Sequence, residues 1–166
     1  MLKNKIALVT GASQGIGFEC ANSLAAKGCN LVLVSRNKDN LMKARNFIKS
    51  KHTVECLAIR GDVSNSNLQK KVIETIRKKY SRLDILINNA GGPPMGSFLK
   101  HNDTAWQKAF SQNLMSVINF TKLSFPLMKK NKFGRVINIL TVLAKEPTSQ
   151  MVLSSTIRSG VMAFSK

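Results

Sequence analysis

Five short apolar runs recur along the chain, and helical periodicities fill the intervals between them. Ile6-Ala7-Leu8-Val9 is the first run, followed by Asn30–Val34, Val54–Ile59, Leu83–Ile87 and Arg135–Leu140. Each is short enough for a buried strand. Between them Ile16, Cys20 and Leu24 repeat at helical spacing up to Gly28, and Leu41, Ala44, Phe47 and Ile48 mark a second amphipathic helix. Leu68, Val72, Ile73 and Ile76 mark a third. A long helix is predicted from near Asp103 past Trp106, Asn113 and Phe120 toward Lys129, with Pro126 kinking or thinning its last turns. A last helix begins near Met151 and is still running at Lys166. Strands alternating with helices predict a doubly wound α/β fold, a parallel sheet covered on both faces. Right-handed crossovers then bring the carboxyl ends of the strands to one edge, where ligands bind.

The special residues fall at those ends: Gly11 after the first strand, Ser35-Arg36 after the second, Asp62 after the third, Asn89 after the fourth and Thr141 after the fifth. The first turn, Thr10 to Gly17, reads TGASQGIG, with glycines spaced G-x-x-x-G-x-G rather than the commoner G-x-G-x-x-G. Strand, glycine-rich turn and helix start together make a phosphate cradle, because bare backbone can approach an anion that the free helix amides face.

Composition bounds the rest. A chain of 166 residues is expected to form one domain with a real core. No apolar run reaches membrane-spanning length and the first residues lead straight into a strand, so neither a membrane partner nor a secretory leader is expected. Cys20, Cys29 and Cys56 lack metal-ligand spacing and read as reduced thiols of a cytoplasmic protein; no metal site is expected. His52 and His101 read as surface residues. The formal charge of +18 suits attraction of a polyanion. The positive residues are spread over helix faces and ends without aromatic interleaving, so charge alone supports a nucleic-acid partner, and none is expected.

The chain resembles the short-chain dehydrogenase/reductase family, and within it the 3-oxoacyl-acyl-carrier-protein reductases. The resemblance rests on TGASQGIG, Gly61-Asp62-Val63, Asn88-Asn89-Ala90-Gly91, Asn113-Leu114 and Gly134–Ile139, collinear over the whole chain. It implies a Rossmann-type sheet and a nicotinamide cofactor. Gly11, Gly15 and Gly17 would cradle the pyrophosphate with Ser13, Gln14 and Ile16 lining it. Asp62 and Val63 would hold the adenine, and Asn89, Ala90 and Gly91 the nicotinamide ribose. An acidic residue after the second strand would bond a ribose 2′-hydroxyl and repel a 2′-phosphate. Ser35 and Arg36 stand there instead, a small donor and a guanidinium, which points to NADP(H) over NAD(H).

The family's catalytic Asn, Ser, Tyr and Lys map onto Asn113, Thr141, Ser154 and Arg158. Ser154 and Arg158 are four apart and share a helix face. An aliphatic hydroxyl is a far weaker acid than a phenol, and arginine keeps its proton in a protein. Ser154 and Thr141 would at best relay a proton from water. Ser154, Ser155 and Ser159 also suit a helix start simply as polar residues. The family fold continues for about two further strands beyond this helix, so a C-terminally truncated sheet, a fragment or a partner-covered edge is expected. The family's long and last helices form a dimer interface, which implies a homo-oligomer. Two functions are compatible with these residues: reduction of a small-molecule carbonyl or oxidation of the alcohol, and cofactor binding without turnover as a sensor or partner subunit.

Overall fold

The computed structural model describes residues 2–166. The elements run β1 (Ile6–Thr10), α1 (Gly15–Ala26), β2 (Asn30–Ser35), α2 (Lys38–Lys51), β3 (Cys56–Arg60), α3 (Ser66–Tyr80), β4 (Ile85–Asn88), α4 (Asp103–Ala109), α5 (Ser116–Lys130), β5 (Arg135–Asn138) and α6 (Val152–Phe164). The sheet order is β3-β2-β1-β4-β5, and every neighbouring pair is parallel. The chain winds outward from β1 through β2 to β3, then crosses back to β4 on the other side of β1. A crevice therefore opens between the carboxyl ends of β1 and β4.

The apolar runs are continuous because both faces of the sheet are buried. Ile6 and Leu8 of β1 join Val32, Leu86 and the inward residues of α3 and α5, among them Val72, Ile76, Phe120 and Leu127. Ala7 and Val9 face the other way, into a second cluster with Ala21 and Ala25 of α1 and Leu41 and Ile48 of α2. The edge strand β5 is more open, with Val136 and Ile137 exposed.

Several bounds differ from the periodicity. β3 starts at Cys56 rather than Val54 because the Glu55 amide donates to the Asn30 side chain and the Val54 amide turns back to the His52 carbonyl. β4 begins two residues after Leu83 and β5 stops two short of Leu140, although the Asp84 amide still bonds the Ile6 carbonyl and the Ile139 amide the Asn88 carbonyl. The predicted long helix is broken by a π-helical turn over Phe110–Met115, between α4 and α5. There the Ser116 hydroxyl donates to the Gln112 carbonyl, and the side chains of Gln112 and Asn113 both donate to the Gly91 carbonyl, at 3.1 and 2.9 Å. Consecutive side chains of a regular helix point about 100° apart, so two neighbours reach one acceptor more readily across a widened turn. α5 runs through Pro126 to Lys130 as one helix.

Candidate active site

The start of α1 differs from those of α2, α3 and α4. Asn37, Asn65 and Asn102 cap the latter three with side-chain oxygens. At α1 the capping position is Gln14, which makes no such bond, and the first turn holds no acidic residue. The helix amides are left for an anion. Gly11 and Gly15 take φ of +58° and +57°, in the left-handed region that glycine adopts without strain. A Cβ at Gly17 would collide with the Gly11 carbonyl oxygen and come within 2.6 Å of Asn89 Nδ2, so the loop sits against β4 only because Gly17 is bare. At Gly15 a Cβ would meet nothing within 4 Å. The loop is thus packed against the protein at Gly11 and Gly17 and open at Gly15, the shape a pyrophosphate requires.

Thr10 joins the two strands that flank the crevice. Its hydroxyl donates to the Asn89 carbonyl at 2.8 Å and accepts the Asn89 amide at 2.9 Å, while Asn89 Nδ2 donates to the Gly11 carbonyl at 3.2 Å. The crevice holds a cavity of about 300 Å³, within the range of small-molecule sites. It is lined by Gly11, Ser13, Gln14, Gly15, Ile16, Ser35, Arg36, Asp62, Val63, Asn89, Ala90 and Gly91. Of the positions expected to hold a cofactor, Gly17 alone lies behind this lining. Gly61, the first residue of the Gly61-Asp62-Val63 motif, and Gln112, which no motif marks, also line the cavity. Ser35 donates to the Ser13 hydroxyl at 2.8 Å, next to Arg36. Burial pushes the Asp62 carboxyl up, but the Ser64 amide and hydroxyl, with the charges of Arg36 and Lys108, outweigh it and hold the group below the usual carboxylate range.

The four positions mapped to chemistry fall at the same edge of the sheet but on different surfaces. Asn113 in the π-helical turn and Arg158 on α6 line a second, smaller cavity of about 20 Å³ under the end of β4, with Asn88, Asn89 and Leu140. Asn113 Oδ1 and Arg158 Nε are both buried without a protein partner, and the volume suffices for one water. Arg158 Nη2 donates to the Ala90 carbonyl at 3.4 Å, and burial lowers the guanidinium pKa from its ordinary value. Thr141 precedes a short 3₁₀ turn, Val142–Ala144, and Ser154 is buried on α6; neither lines either cavity. The Ser159 hydroxyl, bonded to the Ala144 carbonyl at 2.8 Å, fastens α6 to that turn. Tyr80 stands at the end of α3, bonded to Glu55. Burial, then the Glu55 carboxylate, push its pKa up. His52 and His101 lie half-buried at the surface, with their rings bonded to Asn22 Oδ1 and the Gly96 carbonyl.

A parallel α/β sheet with an uncapped glycine-rich helix start at its crossover point defines a dinucleotide-binding protein. The chain belongs to the short chain dehydrogenase family, whose model matches residues 5–166. It is 35% identical to an NADPH-dependent reductase, BacG, of Bacillus subtilis (strain 168), over 99% of this chain and 64% of that one. It is 34% identical to a 3-oxoacyl-[acyl-carrier-protein] reductase of Synechocystis, over 99% of this chain and 67% of that one. Among solved structures it superposes on the L-sorbose reductase of Gluconobacter frateurii in complex with NADPH and L-sorbose, with a TM-score of 0.94 at 28% identity, over 98% of this chain and 62% of that one. The chain thus spans about two thirds of the length of these relatives.

Proposed function

We propose that this chain forms the cofactor-binding and reacting part of an NADP(H)-dependent oxidoreductase that reduces a small-molecule carbonyl, of the 3-oxoacyl type or similar, or oxidises the corresponding alcohol. The observation that carries the reading is the uncapped start of α1 opening into one cavity with Ser13, Ser35 and Arg36, and with no carboxylate at the end of β2. The relatives named as NADPH-dependent support the same cofactor. When bound, the cofactor supplies the hydride.

The chain's own residues bind and orient. The amides of Ser13 to Gly17 hold the pyrophosphate, and Ser13, Ser35 and Arg36 the 2′-phosphate. Asp62 and Val63 receive the adenine, and Asn89, Ala90 and Gly91 the ribose at the nicotinamide end. Asn113 keeps the Gly91 carbonyl in place. Arg158, held under the Ala90 carbonyl, puts a fixed positive charge behind the ribose-binding loop and favours an anionic alkoxide. Thr141 orients the carbonyl. Ser154, buried and outside both cavities, adds at most a proton relay from water, since its own hydroxyl is too weak an acid to donate well. Positioned acid catalysis typically contributes about 10²–10⁴-fold, so turnover by this site is slow. In the intact protein, Ser154→Tyr combined with Arg158→Lys is expected to raise the rate of NADPH-dependent carbonyl reduction by at least about tenfold. NADPH oxidation followed at constant thermal stability measures it.

A second reading, a cofactor-binding subunit without turnover, is favoured by the placement of the single tyrosine, Tyr80, away from both cavities. Tight NADPH binding with no turnover in either the parent or the double variant would select it. Exposed Phe110 and Phe125 beside and on α5 support a homo-oligomer built on that helix.

A further inference from the structure

We propose that Lys108 on α4 is a second cation for the cofactor's 2′-phosphate, forming with Arg36 a two-sided clamp. The inference rests on the NADP(H) reading above and adds a residue that no motif marks. A cavity of about 530 Å³ adjoins the nucleotide crevice and shares Arg36 and Gln112 with it. Arg36 follows β2 and Lys108 comes from α4, so two separate elements present positive charge to one opening. Both side chains are exposed, and neither contacts a carboxylate among the described residues. No acidic residue lines this cavity.

The carboxylate that both cations influence is Asp62, and it is already engaged by the Ser64 amide at 2.9 Å and the Ser64 hydroxyl at 2.8 Å. Both cations lower the Asp62 pKa, and neither forms an ion pair with it. A phosphomonoester carries a charge of roughly −1.5 to −2 near neutral pH. Arg36 supplies one compensating charge in a planar fork, and the Ser13–Ser35 hydroxyls supply no charge. A lysine on a flexible stem is suited to meet the remaining oxygens as a point charge. NAD(H) has no group there, so the contact acts on discrimination between the cofactors rather than on dinucleotide binding in general.

The test compares the intact protein with Lys108→Gln, Lys108→Arg, Arg36→Gln and, as a control for bulk charge, Lys70→Gln on the exposed face of α3. Dissociation constants are measured for NADPH and NADH by fluorescence, and for 2′,5′-ADP and 5′-ADP by calorimetry, on variants of equal thermal stability. Lys108→Gln is expected to weaken NADPH and 2′,5′-ADP about five- to tenfold, as loss of one charge-assisted contact does, while NADH and 5′-ADP change less than about twofold. Lys108→Arg should recover most of the loss, and Lys70→Gln should show none. If Arg36→Gln abolishes the preference for the phosphorylated ligands and Lys108→Gln leaves it unchanged, the clamp is wrong and the NADP(H) reading stands. If the parent protein binds NADH as tightly as NADPH, the NADP(H) reading fails and the clamp falls with it.

Discussion

At the scale of single residues, the two glycines at the start of α1 separate packing from backbone strain. Gly17 is buried, and an added methyl would press on the Gly11 carbonyl and Asn89 Nδ2, so Gly17→Ala must push the loop off β4. We expect a stability loss of about 1–3 kcal/mol, typical of overpacking, and at least about a tenfold loss of NADPH affinity as the amides lose alignment. Gly15→Ala meets open space and costs only the left-handed backbone, about 1–2 kcal/mol. Denaturant titration with cofactor fluorescence distinguishes them: equal affinity losses at both sites would mean that contact with β4 does not shape the cradle. The glycine spacing made this loop legible in the sequence, because only bare backbone fits a close approach. Thr10 read merely as the start of a turn. That its hydroxyl joins β1 to Asn89 depends on two strands 79 residues apart lying side by side, which local pattern does not carry.

At the scale of elements, the strand–helix alternation and the parallel sheet followed from periodicity, whereas the order of the strands and the π-helical turn did not. Phe110–Met115 is helical in pattern; its widening goes with the bonds of Gln112 and Asn113 to Gly91, a contact outside the helix. Asn113→Ala should therefore loosen the loop Gly91–Pro94, seen as faster hydrogen exchange there with α5 unchanged, and it should lower cofactor affinity severalfold. Unaltered exchange would mean the turn holds without that bond. The buried Asp84 was likewise invisible, because it lies inside the run that read as one strand. Its carboxylate accepts the Ile6 amide at 2.8 Å and the Arg82 side chain at 2.6 and 2.9 Å, with Lys5 at 3.4 Å, so it fixes the amino ends of β1 and β4. Burial pushes its pKa up, but these donors and charges outweigh burial and hold it below the ordinary value. A depressed native pKa contributes stability that is complete above the unfolded value, about 3.9, and is lost as pH falls through the native one. Asp84→Asn should cost about 2–3 kcal/mol at neutral pH, less than a fully enclosed pair because Lys5 and Arg82 can turn to solvent. Its stability should also fall less steeply than the parent's below about pH 4. A parallel acid transition in both proteins would show that Asp84 is not the group responsible.

At the scale of the whole molecule, the charge of +18 acts in opposite directions on folding and on binding. Among the described residues only Lys5, Arg77, Lys78, Lys79 and Arg82 contact a carboxylate, so most of the 26 cations have no anionic partner. Such a surplus opposes the compact state through self-repulsion, and it draws anions toward any opening. At the crevice the two effects meet, since Arg36 lines it, Lys108 lines the cavity beside it, and no carboxylate but Asp62 lines either. Salt screens both, with a Debye length of about 10 Å at 0.1 M and about 3 Å at 1 M. Raising ionic strength should therefore raise the melting temperature of the ligand-free protein while weakening NADPH binding, and NADPH should lose more affinity than NADH because its extra phosphate adds charge beside Arg36. Thermal scans and dissociation constants over 0.05–0.5 M potassium chloride, roughly the range in which screening changes most, give both slopes. Equal slopes for NADPH and NADH would place the useful charge elsewhere and leave Arg36 and Lys108 as ordinary solvated cations. A steeper slope for NADPH with a rising melting temperature would mean that the excess which strains the fold is the same excess that selects its ligand.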